Sequence, residues 1–507
     1  MKQNKIKNLL LTMLALLLGV PALAQVGIGT DNPKGVLDVK DSMGIVLPRV
    51  QSVDSVRTPD GGEPILGTMV FDTSKDKNCA RVKTSEGWSN CLLDQEGKDS
   101  LIANYLGLGA NVLAAKVAIS NNWSMILGSD HSLYFSGNNT NGVSGLGRAS
   151  GAVISYTIAL AYPIVDVGAG LTHAIAADAY GRVWTWGANA NFRTGQINPT
   201  TNTYISGSYT ALPDSCDFFG PVKGAGFLAK QVDASSTASF VVTDNGDLYS
   251  VGAAVANGTP TASTTTLGWT RILTNVVQVS ASLNATGGAV TRDGKVYVWG
   301  ANGSYIGTGI TSGNAATPTA LTIPGNTPIK KVAMGYRCGA AVSQDGTKVY
   351  AWGVRYAVAN PAANVLSPID ITSYIPGFDA SKGDRILDVS VGRYTSGGNI
   401  VVVTNKPPVN GLGGVYTAGE NSYGQLGIAT NTDQRGATLM PINWLRINNN
   451  TQIVGAASGD RNTVLLTVTG EGDTQQPGIA YGAGRIATYR VLGALNGNLT
   501  YFTAMTQ

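Results

Sequence analysis

Asp293-Gly294-Lys295-Val296-Tyr297-Val298-Trp299-Gly300 reads as a turn, a short strand and a stop. Asp-Gly supplies the positive φ that a two-residue type I′ hairpin requires, the alternation over Val296 to Trp299 has the period of a strand, and Gly300 ends it. The phrase returns as Val183-Trp184-Thr185-Trp186-Gly187. It returns again as Asp345-Gly346 followed by Val349-Tyr350-Ala351-Trp352-Gly353. Working outward, seven copies close at Gly137, Gly187, Gly252, Gly300, Gly353, Gly419 and, in the weakest copy, Gly482, between 48 and 66 residues apart. Each copy opens on a strand such as Val117 to Ser120, Val167 to Gly170, Val232 to Ser235, Val279 to Ser282, Val332 to Gly335 or Val389 to Gly392. A second strand follows, as in Ala174-Ile175-Ala176, and then the turn.

A fixed phrase at this spacing is the mark of a repeat architecture. One small sheet cannot bury both of its faces, whereas seven stacked radially can. The prediction is an all-β chain, a seven-bladed β-propeller over 99–507 with a small β-rich N-terminal module. Variable connections, such as Asn198 to Pro213 and Gly303 to Pro328, supply outer strands and loops. Arg485 to Gln507 is expected to supply the strands that close the ring.

Gly170, His173, Ile175, Gly181, Val183, Trp184, Trp186, Gly187 and Asn189 occur in the order of a known repeat. So do Gly419, Glu420, Asn421, Tyr423, Gly424, Gln425, Leu426 and Gly427, with Gly137-Asn138-Asn139 and Gly145-Leu146-Gly147 as a looser copy. On these residues about 400 positions resemble the RCC1-like (regulator of chromosome condensation) repeat proteins, which implies the seven-bladed propeller. That family's best-known role is nucleotide exchange on a small GTPase together with chromatin binding. Export, low charge and the lack of a coherent set of residues in the repeat's histidine position all oppose it here.

The export expectation comes from the start of the chain. Lys2, Lys5 and Lys7, the apolar run Leu9 to Val20 and Ala22-Leu23-Ala24 read as a signal peptide over 1–24, with the mature chain starting at Gln25. The run is shorter than the about 20 apolar residues of a spanning helix, and no cysteine follows it to carry a lipid. Insertion in a membrane after signal removal is therefore not expected, and the chain is placed outside the cell, on its surface or in the periplasm. Losing the signal leaves +1 of the formal +4. Without grouped Lys and Arg, nucleic acid is not an expected partner.

Residues 25–98 contain Val26-Gly27-Ile28-Gly29-Thr30, Asn32-Pro33, Leu37-Asp38-Val39, Gly44 to Arg49 and Gly67 to Phe71. They resemble the N-terminal segment of many secreted proteins of Bacteroidetes-type bacteria, itself similar to phage tail-fibre modules. The resemblance implies extracellular presentation and a possible homo-oligomer. Cys79 and Cys91 flank a short hairpin and are the disulfide candidate in an oxidising compartment; Cys216 and Cys338 stay open. Asp41-Ser42-Met43, Asp54-Ser55-Val56 and Asp99-Ser100-Leu101 match a bacterial O-glycosylation pattern as well as they match ordinary turns.

No residue set satisfies the demands of catalysis, a cofactor or a metal. The repeat's histidine position holds Trp123, His173, Ala238, Ala285, Cys338 and Thr395, then Asp460 or Asn462. With only His131 and His173 in the chain a three-histidine metal site is impossible, and His173 reads as structural. Asp178, Asp244, Asp293 and Asp345 read as turn residues, and Trp184, Trp186, Trp299 and Trp352 as packing between blades. Tyr204, Tyr209, Tyr305, Tyr356 and Tyr423 are the candidates for a ligand-binding rim. The expected function is a secreted or surface binding and adhesion scaffold that contacts a protein or glycan without enzyme activity or cofactor. The alternative is an extracellular polysaccharide lyase or hydrolase.

Overall fold

The computed structural model describes residues 113–505 except 161–162, 199, 202, 217–227, 355–362, 394–397, 409–411, 445–446, 448–450, 470–475 and 486–497. Nearer the N-terminus it describes 26–28, 37–39, 49–58, 61–65, 68–73, 79–84 and 87–88. The expected signal peptide, Cys91 and Tyr356 lie outside these residues. Two compact units divide at Asn104 and Tyr105. In the first, Val26–Ile28 pairs in parallel with Leu37–Val39. A second sheet there joins Arg49–Val50, Met69–Asp72, Cys79–Thr84 and Gly87–Trp88. Ser55, in one of the candidate glycosylation triplets, is exposed, and its hydroxyl donates to Ser52 O at 2.6 Å.

The second unit is an all-β propeller. Its blades begin with the inner strands Leu113–Ile119, Ile164–Ala169, Ala229–Ala234, Val276–Ala281, Ile329–Gly335, Ile386–Val391 and Gln452–Ser458. In each blade three further strands follow, antiparallel to their neighbours. The second strands, among them His173–Asp178, Ala238–Thr243 and Cys338–Ser343, are buried along their whole length. This is why they are rich in Ala, Val and Ser. The antiparallel order gives the ring two faces: a turn face with the second-to-third hairpins and the links from each outer strand to the next blade, and a loop face with the first-to-second and third-to-outer connections.

The closing glycine is dictated by geometry. It opposes the first residue of the second strand, as in His173↔Gly187, Ala238↔Gly252, Cys338↔Gly353 and Asn399↔Gly419. At Gly353, φ is +118° and a Cβ would come within 2.3 Å of Arg337 O. The same pairing corrects the seventh copy. Asn462 opposes Gly484, whose φ is +109°, whereas Gly482 pairs mid-strand with Val464. The sequence Tyr481-Gly482 imitates the aromatic-glycine ending two residues too early.

The aromatic before the glycine locks one blade to the previous one. Trp186 Nε1 donates to Val143 O at 2.8 Å and Trp299 Nε1 to Ala256 O at 3.2 Å, both carbonyls lying in loops of the preceding blade. Trp186, Trp299 and Trp352 are fully buried. Trp184 is buried as well, with Nε1 donating to Asp178 Oδ2 at 3.0 Å.

The hairpins differ from the expected two-residue type I′ turn. Thr291 N donates to Lys295 O and Gly294 N to Thr291 O, so the loop is the three residues Arg292-Asp293-Gly294. Only Gly294 has positive φ, +78°. This is a type I turn closed by a left-handed residue. Asp accepts within the turn instead of adopting positive φ: Thr291 Oγ1 donates to Asp293 Oδ1 at 2.6 Å, and Ser343 Oγ to Asp345 Oδ1 at 2.6 Å. The bond from Lys295 and then that from Thr291 hold the Asp293 carboxyl down at about 2, and those from Ser343 and the Thr347 backbone N do the same for Asp345.

Ring closure also departs from expectation. Asn498–Ala504 is the outer strand of the seventh blade, pairing with Tyr481–Arg485. The seam itself is crossed by Gln476–Ile479. Its first half pairs with the seventh blade at Thr469 and Val468, and its second half with Leu113 and Ala114 of the first.

Gly353→Ala is expected to cost at least about 2 kcal/mol, combining left-handed strain with a backbone clash. Gly207→Ala, where a Cβ meets nothing within 4 Å, is expected to be near neutral. Denaturant midpoints of the two variants check this.

Candidate functional site

The seven inner strands surround one axial channel, a cavity of about 160 Å³. Each inner strand carries a β-bulge near its start, at Ala114/Lys116, Ile164/Asp166, Ala229/Gln231, Val276/Gln278, Ile329/Lys331, Ile386/Asp388 and Ile453/Gly455. A bulge re-aims the side chains beside it. The residues just after it form a ring of equivalent positions: Lys116, Asp166, Gln231, Gln278, Lys331, Asp388 and Gly455.

The polar members of this ring lace each blade to the next. Lys116 pairs with Asp166, whose Oδ2 accepts from Val232 N at 2.8 Å. Gln231 accepts from Val279 N at 2.9 Å and donates to Val279 O at 3.3 Å. Gln278 does the same to Val332, at 2.9 and 3.0 Å. Lys331 pairs with Asp388, whose Oδ2 accepts from Ala456 N at 3.0 Å. Six junctions are bonded in this way, and the series stops at Gly455. Burial pushes the Asp166 carboxyl above its ordinary value, against the opposing pull of Lys116.

Arg393, on the first-to-second-strand loop of blade six, crosses the axis at the loop-face end. Its Nη2 donates to Ala234 O at 2.8 Å and Ala281 O at 2.6 Å and contacts Asp233 Oδ1 at 3.2 Å. Its Nη1 lies 3.4 Å from Ile119 O, and its backbone N donates to Gly459 O at 3.1 Å. One side chain from blade six thus engages blades one, three and four. Lys116, Lys331 and Arg393 balance Asp166, Asp233 and Asp388, and most of the bonding capacity at the axis is spent on neighbouring blades.

The repeat's histidine position is resolved by pairing to the closing glycines. It holds Trp123, His173, Ala238, Cys338, Asn399 and Asn462. In blade four Thr286 replaces Ala285, since a Cβ on Gly300 would meet the Thr286 Cα; Asn399 replaces Thr395. His173 is fully buried, with Nε2 3.0 Å from Ser239 Oγ. Because Ser239 Oγ donates its proton to Arg193 O, His173 Nε2 is the donor. Burial, then the nearby Arg193 charge, holds its pKa well below the ordinary value. Cys338 is a buried free thiol, pushed up to about 12 by burial. Among the described residues no three or more His, Cys, Asp or Glu side chains are grouped to hold a metal.

The loop face carries the arrangement closest to a binding surface. Buried asparagines clasp its loops: Asn139 Oδ1 accepts from Ser144 N, Asn189 from Thr194 N and Asn421 from Leu426 N, at 2.8, 3.1 and 2.9 Å. Their amides donate across the same loops. Asn302 holds the blade-four loop likewise, donating from Nδ2 to Ser312 O at 3.0 Å and accepting at Oδ1 from Thr308 Oγ1 at 2.8 Å; on the Asn421 and Asn302 loops two of the five candidate tyrosines, Tyr423 and Tyr305, stand half-buried, each beside arginine. The Arg337 guanidinium lies 4.7 Å from the Tyr305 ring centre, and those of Arg461 and Arg485 lie 4.7 and 5.2 Å from Tyr423. Tyr204 is corrected: it is 5% exposed and its ring packs where a side chain on Gly268 would stand, so it is core. Tyr209 has a described backbone, opposite Ala188, but its side chain lies outside the described residues, as do those of Cys79 and Cys216.

Residues 413–466 match the family model of the Regulator of chromosome condensation (RCC1) repeat. This stretch contains the third and outer strands of blade six, the Asn421 clasp, and the first two strands of blade seven. The E3 ubiquitin-protein ligase HERC2 of Homo sapiens is 33% identical over 184 residues, 35% of this chain and 3% of that protein; the Mus musculus protein matches equally. The chain therefore spans a small fraction of the curated relatives it matches. Human WBSCR16 superposes with a TM-score of 0.55 at 19% identity, over 70% of this chain and 87% of the other. Yeast RCC1 (Prp20), solved with Kap60 bound, gives 0.55 at 17% identity, over 78% and 85%. The fold is an RCC1-like propeller.

Within that RCC1-like frame the axial ring went unread in the sequence. Its trace was there: the residue before the valine of each opening strand is Lys, Asp or Gln in Lys116-Val117, Asp166-Val167, Gln231-Val232, Gln278-Val279, Lys331-Val332 and Asp388-Val389.

Arg393→Met leaves Asp233 and several buried carbonyls without their partner and is expected to cost about 3–5 kcal/mol, measured by denaturant unfolding. A second expectation concerns pH. With His173 neutral in the folded state, the unfolded chain takes up the proton first, so stability present above pH about 6.5 falls as pH drops below that value. His173→Gln is expected to flatten the dependence between pH 7 and 5.

Proposed function

We propose that this chain is an exported, non-enzymatic binding scaffold whose propeller loops contact an extracellular protein or glycan. The observation that carries this reading is the use of the axis. Propeller chemistry needs side chains free to act on a ligand at the channel, and here six blade junctions and Arg393 bind them to the protein itself. The loop face instead presents arginine–tyrosine pairs on asparagine-clasped loops, a means of holding a ligand by contact. The likeness to Prp20, a protein described by its binding to Gsp1p and histones, supports a propeller that works by binding.

In this proposal the basic-apolar segment at the N-terminus directs export, the chain resides outside the cell or in the periplasm, and the fibre-like N-terminal region presents the propeller, with self-association as one consequence. Nucleotide exchange on a small GTPase is the competing role suggested by the relatives. It predicts faster release of labelled nucleotide from a purified GTPase on adding the propeller.

Cell fractionation with N-terminal sequencing, followed by glycan arrays and purified cell-wall, host and self components, tests the proposal. The expected result is a chain starting at Gln25 outside the cytoplasm that retains at least one such component. A cytoplasmic chain starting at Met1, or stimulated nucleotide release, overturns it.

A further inference from the structure

We propose that the junction of blades four and five holds a recognition site for the carboxylate of an acidic sugar, built from Tyr305, Arg337 and Asn364. The inference rests on the binding-scaffold reading and names the ligand class of one site on its loop face.

Arg337 differs from Arg461, Arg435, Arg193 and Arg393 on that face. Arg461 pairs with Asp460 and Arg435 with Asp433. Arg193 is tied to Thr172 Oγ1 and Ser236 O, and Arg393 is consumed at the axis. Arg337 has no carboxylate partner among the described residues. Its guanidinium rests over the Tyr305 ring, and its Nε is shielded from water without a hydrogen bond. The Tyr305 hydroxyl accepts from Asn364 Nδ2 at 3.3 Å, and Asn364 is exposed. A cation, a phenol and an amide from two blades are thus gathered at one place.

The backbone gives an independent indication. Tyr305 and Arg337, the two stacked residues, both have left-handed conformations, with φ of +53° and +55°. Neither residue type favours that region, and strain of this kind collects at ligand clamps. In blades one, two, three and seven the residue equivalent to Arg337 is not left-handed; in blade four it is Ala285 and in blade six Gly398, both left-handed, so Arg337 is the one long charged side chain held in that conformation at this position.

The chemistry selects a carboxylate on a sugar. A guanidinium fork matches a planar carboxylate with two parallel hydrogen bonds. The loops 139–151, 189–206, 252–269 and 301–313 contain no Asp or Glu, so no internal acid competes there. Their Asn, Ser and Thr groups suit sugar hydroxyls. A nucleic acid would call for grouped cations to displace counterions, and among the described residues the loops that form this site, 301–313, 336–337 and 363–364, carry Arg337 as their one Lys or Arg.

The test is calorimetric titration of the full mature chain with polygalacturonate, its methyl ester, dextran sulfate and polyglutamate. Polygalacturonate is expected to bind and the methyl ester not to bind. Arg337→Lys and Asn364→Ala are each expected to weaken binding, the arginine change by about tenfold or more, as for loss of a forked charged pair. The exposed Asn364→Ala change and matched melting curves separate this from misfolding. Equal binding of the methyl ester, preference for sulfate or polyglutamate, or unchanged affinity in folded Arg337→Lys overturns the site. If the site fails while other glycans or proteins still bind, the scaffold reading stands; if nothing binds, both fall.

Discussion

Each blade of this propeller depends on its neighbour for the bonds its own sheet cannot make. At the axis the inner strands approach closely enough for a side chain of one blade to bond the backbone of the next. Asp166, Gln231, Gln278 and Asp388 do so at four of the junctions. Farther out, Trp186 and Trp299 repeat the arrangement with indole N–H groups reaching carbonyls of the preceding blade. Buried donors and acceptors must find partners. In this ring the groups that the sheet ladders leave over at the axis and under the closing indoles find their partners across the junctions, so the lone blade is not a folding unit.

The architecture was legible because the constraint is local and recurs. A closing glycine forced by positive φ and by close approach to the second strand appears in every copy, and counting it yields the propeller. Where another residue pair imitated the ending, as Tyr481-Gly482 does before Gly484, the reading slipped by two. The hairpin type was misread for a related reason: Asp-Gly occurs in two-residue loops, but here Asp accepts a side-chain bond and only Gly is left-handed. The axial ring was hidden because it depends on bulges, and a bulge is a property of register between strands that a single strand's sequence does not display.

The binding surface was legible only in part. Tyrosines in long connections are natural rim candidates, yet exposure is decided by what the loop packs on. Tyr204 faces the bare Gly268 and is lost to the core, whereas Tyr305 and Tyr423 stand on clasped loops beside arginines. Those arginines lie far from the tyrosines in sequence, on the next blade, so no motif search along the chain joins them. The repeat supplies the frame, and residues that differ between copies supply whatever discrimination the protein has.

The seventh junction differs from the other six. Gly455 offers no side chain, and the first and last blades meet through apolar packing and two strand pairs, Gly478↔Ala114 and Ile479↔Leu113. Among the described residues each of these two blades takes its own four strands from one end of the chain, and Gln476–Ile479 only bridges them. Mechanically the molecule is a split washer: tension applied between residues 113 and 505 concentrates on one slit while the rest of the ring stays under its full set of cross-junction bonds. The slit is also where a blade could be gained or lost in evolution with the fewest bonds remade.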